Sequence, residues 1–354
     1  MNAHTSLEKL PRTEVRTSNR VLIVDDSAVA RAVIARIVND IPGFTVVESL
    51  TSARQALEYL CHHRVDIVLL DIIMPGVDGL TALPDLITAG ENARILIVSS
   101  SCEDGCAATV QALALGAADT LVKPGPGSYA GSFATRLQER LIRLAGDSYG
   151  SQPMVPTKNV KVERHFDIVA VGASTGGIHA LTQLLRQIPA SFEPPILVTQ
   201  HLPESFMPYF AAQLALIANR PCEVARNGMA ITPGRILVAP GTAHLCCVRT
   251  NHGYAVRLSD TPVANGCMPS VDPMFSSLGE AYGDRVFAVV LSGMGRDGAT
   301  GAARLHETGS TVVVQDRNSS VVWGMPGAIA TAGHASAVLK PEEIGALIAG
   351  SDKR

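Results

Sequence analysis

Twice along this chain, short apolar runs alternate with segments of helical period, and a stretch with no period at all separates the two series. A run of four to six apolar residues bounded by turn signals reads as a strand buried on both faces. A following segment with apolar residues three and four apart reads as a helix packed on it. In the first series Val21–Val24, Phe44–Val47, Val65–Leu70, Arg94–Val98 and Thr120–Val122 are strands by this reading. Ala30, Val33, Ile34, Ile37 and Val38 share one helix face, and Ala53, Ala56, Leu57 and Leu60 another. A helix is expected around Val110–Leu115, and Phe133, Leu137, Leu141 and Leu144 mark a last one. Such alternation predicts an α/β protein built on a doubly wound parallel sheet.

The second series repeats the rhythm with Asp167–Val171, Ile196–Thr199, Arg235–Ala239, Val286–Leu291 and Thr311–Val314, and predicts a second such sheet. Leu245–Arg249 and Tyr254–Leu258 flank Asn251-His252-Gly253 and read as a hairpin. Between the two series, Gly146, Gly150, Pro153 and Pro156 stand among Ser, Thr and Asn, which is a linker composition. At 354 residues the chain exceeds one ordinary core. The expected organisation is a tail over 1–19, a domain over 20–145, a linker over 146–164 and a second domain over 165–354.

A net charge of only −3, without a basic stripe, leaves no footprint for nucleic acid. No apolar run approaches the roughly 18 residues of a membrane span, and the polar first twenty residues hold no signal-peptide core. The expectation is a cytoplasmic protein without membrane insertion. Seven cysteines, an odd number with no C-x-x-C pair, read as small buried hydrophobes in a reducing compartment. Cys102 and Cys106 share a helical spacing, but no histidine nearby completes a metal set.

Ligands of open α/β sheets bind beyond the carboxyl ends of the strands. In the first domain Asp25 and Asp26 end the first strand, Asp71 the third, Ser99 the fourth and Lys123 the fifth. A lone aspartate there is ordinarily a turn or cap residue. Three carboxylates converging with an ammonium and a hydroxyl form an all-oxygen set suited to Mg²⁺. The stretches Val24-Asp25-Asp26-Ser27, Leu70-Asp71-Ile72-Ile73-Met74-Pro75-Gly76-Val77-Asp78-Gly79 and Val122-Lys123-Pro124 resemble the receiver domain of bacterial response regulators, which is flavodoxin-like in fold. The resemblance implies phosphorylation of Asp71, with Mg²⁺ held by Asp25, Asp26, Asp71 and the Ile73 backbone carbonyl. It implies that Ser99 and Lys123 sense the phosphoryl group. Where many receivers carry an aromatic switch residue, three positions before the lysine, this chain has Thr120.

In the second domain Gly172-Ala173-Ser174-Thr175-Gly176-Gly177 follows a strand and opens a helix. A dinucleotide loop would need glycine where Ser174 stands, and a plain structural turn is a further reading. The string also fits G-x-S-x-G, a sharp turn that exposes a nucleophilic hydroxyl at a helix start. Such a serine needs a base, and the base an orienting carboxylate. His201 ends the next strand and Asp297 lies just past another strand end, so both can reach the same sheet edge. His244 and Asp316 are the rival base and carboxylate. His179 is expected to face solvent, His252 falls in the hairpin turn, and His306 and His334 fall on helical or loop stretches. The order serine, histidine, aspartate differs from that of the α/β-hydrolases and points to another doubly wound sheet.

Gly172–Gly177, Gln200-His201-Leu202-Pro203, Ala239-Pro240-Gly241 with His244-Leu245, Pro269-Ser270-Val271-Asp272, Gly293–Gly298 and Gly324-Met325-Pro326 resemble the catalytic domain of the CheB family of chemotaxis protein-glutamate methylesterases, Rossmann-like in fold. Leu202 replaces a common methionine. The resemblance implies Ser174 as nucleophile, His201 as base and Asp297 as its orienter, with the Met294 N–H in an oxyanion hole; position alone adds the Thr175 N–H. It implies hydrolysis of glutamate γ-methyl esters on chemoreceptors, and deamidation of receptor glutamines by the same site. It also implies a histidine kinase as phosphodonor and no cofactor for the hydrolase. In that family the unphosphorylated receiver covers the catalytic site. Two other classes compete: a receiver with an output domain that only binds a partner, and a nucleotide-dependent oxidoreductase, which the missing glycine disfavours.

Overall fold

The computed structural model describes residues 18–74, 79–99, 103–123, 130–146 and 165–351. Pro75–Asp78, Pro124, Cys102, the linker beyond 146 and the tail before 18 lie outside them.

The first unit runs β1 (Asn19–Val24), α1 (Ala28–Asn39), β2 (Phe44–Leu50), α2 (Ala53–Leu60), β3 (Ile67–Leu70), α3 (Gly79–Ala89), β4 (Arg94–Ser99), α4 (Glu103–Leu115), β5 (Asp119–Val122) and α5 (Ala130–Ala145). Its strands order as β2-β1-β3-β4-β5, all parallel. Continuous Val/Leu/Ile strands are what burial on both faces demands, and all four residues of Ile67–Leu70 are buried. Ser27 caps α1, its Oγ accepting from Ala30 N, which fixes the turn where Asp25 and Asp26 stand.

The second unit continues with β6 (Ile168–Ala173), α6 (Gly177–Leu185), β7 (Ile196–Gln200), α7 (Met207–Ala218), β8 (Cys222–Val224), β9 (Ile236–Val238), the hairpin β10 (His244–Thr250) and β11 (Gly253–Ser259), and α8 (Val271–Tyr282). β12 (Val286–Val290), α9 (Ala299–Glu307), β13 (Thr311–Gln315), α10 (Gly324–Thr331), β14 (Ala337–Leu339) and α11 (Pro341–Ser351) complete it. The strand order is β14-β13-β12-β6-β7-β9-β8, parallel throughout, with the hairpin as a separate antiparallel pair. From β6 the chain winds one way through β7 and β9, then returns to wind the other way from β12. The reversal lies between β6 and β12, where a doubly wound sheet opens its crevice. β8 and β14, three residues each at the sheet edges, carry no period that a sequence reading could use.

The two units pack on each other through α4. From Gly105 to Leu115 this helix has no charged residue, and it is buried at 105, 106, 109, 110 and 112–114, more than one face of a helix can supply. One side covers its own sheet. The other lies against α6, α7 and the turn at Glu204–Phe206. Val110 and Leu113 share one apolar cluster with Ile178, Phe206 and Met207 of the second unit.

Candidate active site

β6 ends at Ala173, and the chain turns sharply through Ser174 and Thr175 into α6. Gly176 holds φ +76°, and a Cβ there would lie 2.5 Å from Val321 Cβ, so both conformation and space require glycine. The turn is pinned from two sides: Ser174 N donates to Ser292 O at 3.0 Å, and Gln200 Nε2 donates to Ser174 O at 2.9 Å. Gly293 lets the strand-end loop after β12 approach, since a Cβ there would stand 2.9 Å from Ser174 Cβ.

His201 leaves the end of β7 and is held to Asp297 by a 2.7 Å contact between Nε2 and Oδ2. Nδ1 is thereby left to exchange a proton on the open side of the ring. Among the described residues the Ser174 hydroxyl and His201 are not hydrogen-bonded, as befits an unliganded site that tightens on substrate. Both line one cavity of about 110 Å³. Asp297 is 2% exposed. Its Oδ1 accepts from Ser270 Oγ at 2.6 Å, Asn265 Nδ2 at 2.8 Å and Gly298 N at 2.9 Å, and its Oδ2 also accepts from Val271 N at 2.8 Å. Burial alone would raise this carboxyl; donation from His201 and Ser270 outweighs it and holds the group down at about 2. It is a fixed anion beneath an imidazole. Neither Met294 N nor Thr175 N donates a hydrogen bond among the described residues.

The rivals are committed elsewhere. His244 is buried, with Nδ1 accepting from Ser270 N at 2.9 Å and Nε2 donating to Thr261 O at 3.0 Å. Asp316 accepts from Ser319, while the carboxylate on the His201 ring is that of Asp297. His179 does not face solvent as expected: its Nδ1 meets Ala114 O of the first unit at 3.0 Å, because α4 covers that face of α6. Two residues that support Asp297 carry no readable signal of that role in the sequence: Ser270 falls in the Pro269–Asp272 motif with nothing to mark it as a donor, and Asn265 has no local signal. Cys267, which donates no hydrogen bond to Asp297 or His201 among the described residues, is not part of the hydrolytic machinery and is not one of the purely structural cysteines either. It lies half-buried beside His201 and Asp297. Burial, with Asp297 and Asp272 nearby, pushes its thiol up to about 11.

In the first unit Asp25, Asp26 and Asp71 bring carboxylate oxygens within 4.8 Å of one another. Lys123 Nζ lies 2.6 Å from Asp71 Oδ2 and 2.7 Å from Asp25 Oδ2. Burial lowers the Lys123 ammonium, but the two carboxylates outweigh it and hold it above the ordinary lysine value. Burial pushes Asp71 up further than Lys123 pulls it down. One ammonium against three carboxylates leaves the cluster short of positive charge, and the buried Asp25 Oδ2 has no hydrogen-bond donor in line. Both observations fit a divalent cation held by oxygen. Ile73 N donates to Asp71 Oδ1 at 3.1 Å, while Ser99 Oγ is occupied by Thr109 Oγ1 of α4 at 2.9 Å.

The two sites are joined. Asp119 Oδ2 accepts from Arg140 Nη1 at 2.6 Å and, across the interface, from Thr175 Oγ1 at 2.9 Å. Gly176 N donates to Ala118 O at 2.8 Å. Leu113, Asp119, Arg140 and Arg143 thus wall the cavity that contains Ser174 and His201.

Fold and sites together define a two-domain response regulator whose output is a serine-type carboxyl-ester hydrolase. Residues 169–348 match the family described as CheB methylesterase, and residues 21–128 match the response regulator receiver domain. A protein-glutamate methylesterase/protein-glutamine glutaminase of Caulobacter vibrioides is 40% identical over 93% of this chain and 98% of its own. One of Rhodospirillum rubrum is 36% identical over 93% and 94%. The Thermotoga maritima CheB methylesterase catalytic domain superposes with a TM-score of 0.50 at 33% identity, covering 52% of this chain and 98% of that domain. The chain belongs to the CheB methylesterase family.

Proposed function

We propose that the protein hydrolyses glutamate γ-methyl esters on chemoreceptors to release methanol, deamidates receptor glutamines at the same site, and is switched on by phosphorylation in chemotactic adaptation. The observation that carries this is the His201–Asp297 couple beside Ser174 at the switch point of the second sheet. Ser174 Oγ attacks the ester carbonyl while His201 Nδ1 takes its proton. Asp297 holds the ring in the tautomer with the proton on Nε2 and stabilises the imidazolium that forms. The undonated Met294 and Thr175 N–H groups receive the developing oxyanion; one such donor is typically worth about 3 kcal/mol. His201 returns the proton to methanol, or to ammonia from an amide. Water, activated by the same ring, then frees the glutamate.

Asp71 is the proposed phosphoacceptor, with Asp25, Asp26 and the Ile73 carbonyl as its partners in holding Mg²⁺. That ion would neutralise the carboxylates and the incoming phosphoryl oxygens. Lys123 is already seated on Asp71, whereas Ser99 must leave Thr109 to reach a phosphoryl group, which would loosen α4 where it packs on the second domain. Leu113, Asp119, Arg140 and Arg143 of the first unit wall the cavity that holds Ser174 and His201, which supports reading this arrangement as the closed one. A histidine kinase is the phosphodonor this scheme requires. No helix among the described residues is long and apolar enough to cross a membrane, and a cytoplasmic setting fits receptor helices as substrate.

The test is methanol release from methylated receptor membranes, with and without a small-molecule phosphodonor and Mg²⁺. Release should vanish in Ser174→Ala and lose its phosphodonor response in Asp71→Asn. No release in either state with authentic substrate would overturn the reading.

A further inference from the structure

We propose that His201, Cys267 and Asp297 form an inhibitory site for a soft divalent cation of the zinc type, which closes the hydrolase reversibly and independently of the receiver.

An imidazole nitrogen, the Cys267 sulfur and an Asp297 oxygen lie within 4.8 Å of one another. Tetrahedral zinc holds its donors roughly 3.3–3.8 Å apart, so small side-chain rotations would close this set on one ion, and nitrogen, sulfur and carboxylate oxygen are the set zinc selects over magnesium or calcium. The sulfur is placed by its own loop. Cys267 N donates to Asn265 Oδ1 at 2.9 Å, and the same side chain donates through Nδ2 to Asp297 at 2.8 Å, so one asparagine sets the spacing between thiol and carboxylate. Both Cys267 and His201 are half-buried, so an ion can reach them. Asp272 adds a second carboxylate, also bridged to Asn265 Nδ2, at 3.3 Å. Arg143 of the receiver is the opposing charge.

Binding displaces the thiol proton to solvent and leaves thiolate, imidazole and carboxylate on the metal, with water able to fill a fourth position. Either imidazole nitrogen serves, and either blocks the reaction. Metal on Nδ1 takes the lone pair needed for the Ser174 proton. Metal on Nε2 replaces the proton that ties the ring to Asp297. Cys267 has no part in hydrolysis itself, so its loss should spare the activity and remove the inhibition. The inhibitory consequence rests on the role proposed for His201; metal binding does not.

The experiment uses the full-length protein, wild type and Cys267→Ser, with Cys61→Ser as control for an exposed thiol. Zn²⁺ affinity is read by competition with a chromogenic chelator, and Co²⁺ is substituted to read the thiolate-to-metal absorption. Wild type and Cys61→Ser should bind one more tight zinc than Cys267→Ser and show a charge-transfer band that Cys267→Ser lacks. Methanol release should be intact in zinc-free Cys267→Ser, with an unchanged melting temperature. Half-inhibition of that variant should require at least about tenfold more zinc, the equivalent of roughly 1.4 kcal/mol, and chelator should restore wild type. Equal zinc affinity and equal inhibition in wild type and Cys267→Ser would overturn the proposal. So would wild type that binds no zinc. Because chelator competition and the cobalt band need no turnover, a protein inactive on receptors but carrying the Cys267-dependent zinc would sink the functional reading and leave the metal site standing.

Discussion

Asp297 shows at the residue scale how an anion is kept buried and useful. Six donors surround it among the described residues, Ser270 Oγ at 2.6 Å and Asn265 Nδ2 at 2.8 Å among them, which is why it stays ionised and keeps its orientation under His201. Removing one donor to a buried charge costs about 1.5–3 kcal/mol. Ser270→Ala should therefore lower kcat by about tenfold or more with KM little changed, because the loss falls on the imidazolium-like transition state. A KM effect alone would make Ser270 structural only. Thr120 is the opposite case: its Oγ1 is buried without a partner. Thr120→Val keeps the shape and removes the unmet hydroxyl, so it should stabilise the receiver by about 1 kcal/mol, within the usual cost of such a group. A lower midpoint in denaturant would refute this. Ser174, His201 and Asp297 were legible because Ser174 and His201 directly follow strand ends and Asp297 lies in the glycine-rich loop after a third. Asn265 and Ser270 were not, because they reach Asp297 from about thirty residues upstream and only the folded chain brings them there.

Elements carry the coupling between the sites. β4 delivers Ser99 to the end of the first sheet where the proposed phosphoacceptor Asp71 stands, and leads into α4, where Thr109 holds its hydroxyl. β5 begins at Asp119, whose carboxylate grips both Arg140 of its own domain and Thr175 beside Ser174, the proposed nucleophile. Asp119 is 8% exposed, so its bonds are poorly replaced by water. Asp119→Ala should raise the rate of the unphosphorylated protein by about tenfold, the scale of one charge-assisted bond lost from the closed state. The phosphorylated rate should stay level. Methanol release with and without phosphodonor measures both, and an unphosphorylated rate that does not rise would show the contact to be incidental. The long elements were readable from period because they bury one face or two. Strands β8 and β14 were not, since three edge residues have no period to show. The period of α4 shows a helix, whereas its second buried face, carried by the charge-free run from Gly105 to Leu115, covers another domain and has no periodic signal of its own.

Over the whole molecule, two sheets of the same construction place their sites at corresponding ends, and α4 lies between them. Their opening must separate Val110 and Leu113 from Ile178, Phe206 and Met207, which share one apolar cluster. Apolar surface is stabilised by about 25 cal/mol per Å² buried, so this contact favours closure, and the proposed activation by phosphorylation has to supply the opposing term. Receiver and hydrolase thus share one apolar cluster that α4 carries between them. The Thermotoga maritima catalytic domain, 98% covered by this chain, stands as a separate folded unit, and residues 165–354 should do so as well. Freed of Leu113, Asp119, Arg140 and Arg143, that fragment should release methanol as fast as the phosphorylated full chain and ignore phosphodonor. It should also melt lower than the same domain within the full chain, because Ile178 and Phe206 lose their cover. A fragment that folds but releases methanol no faster than the unphosphorylated full chain would mean that the receiver does more than stand in the way, and that Ser174 and His201 depend on it for their alignment.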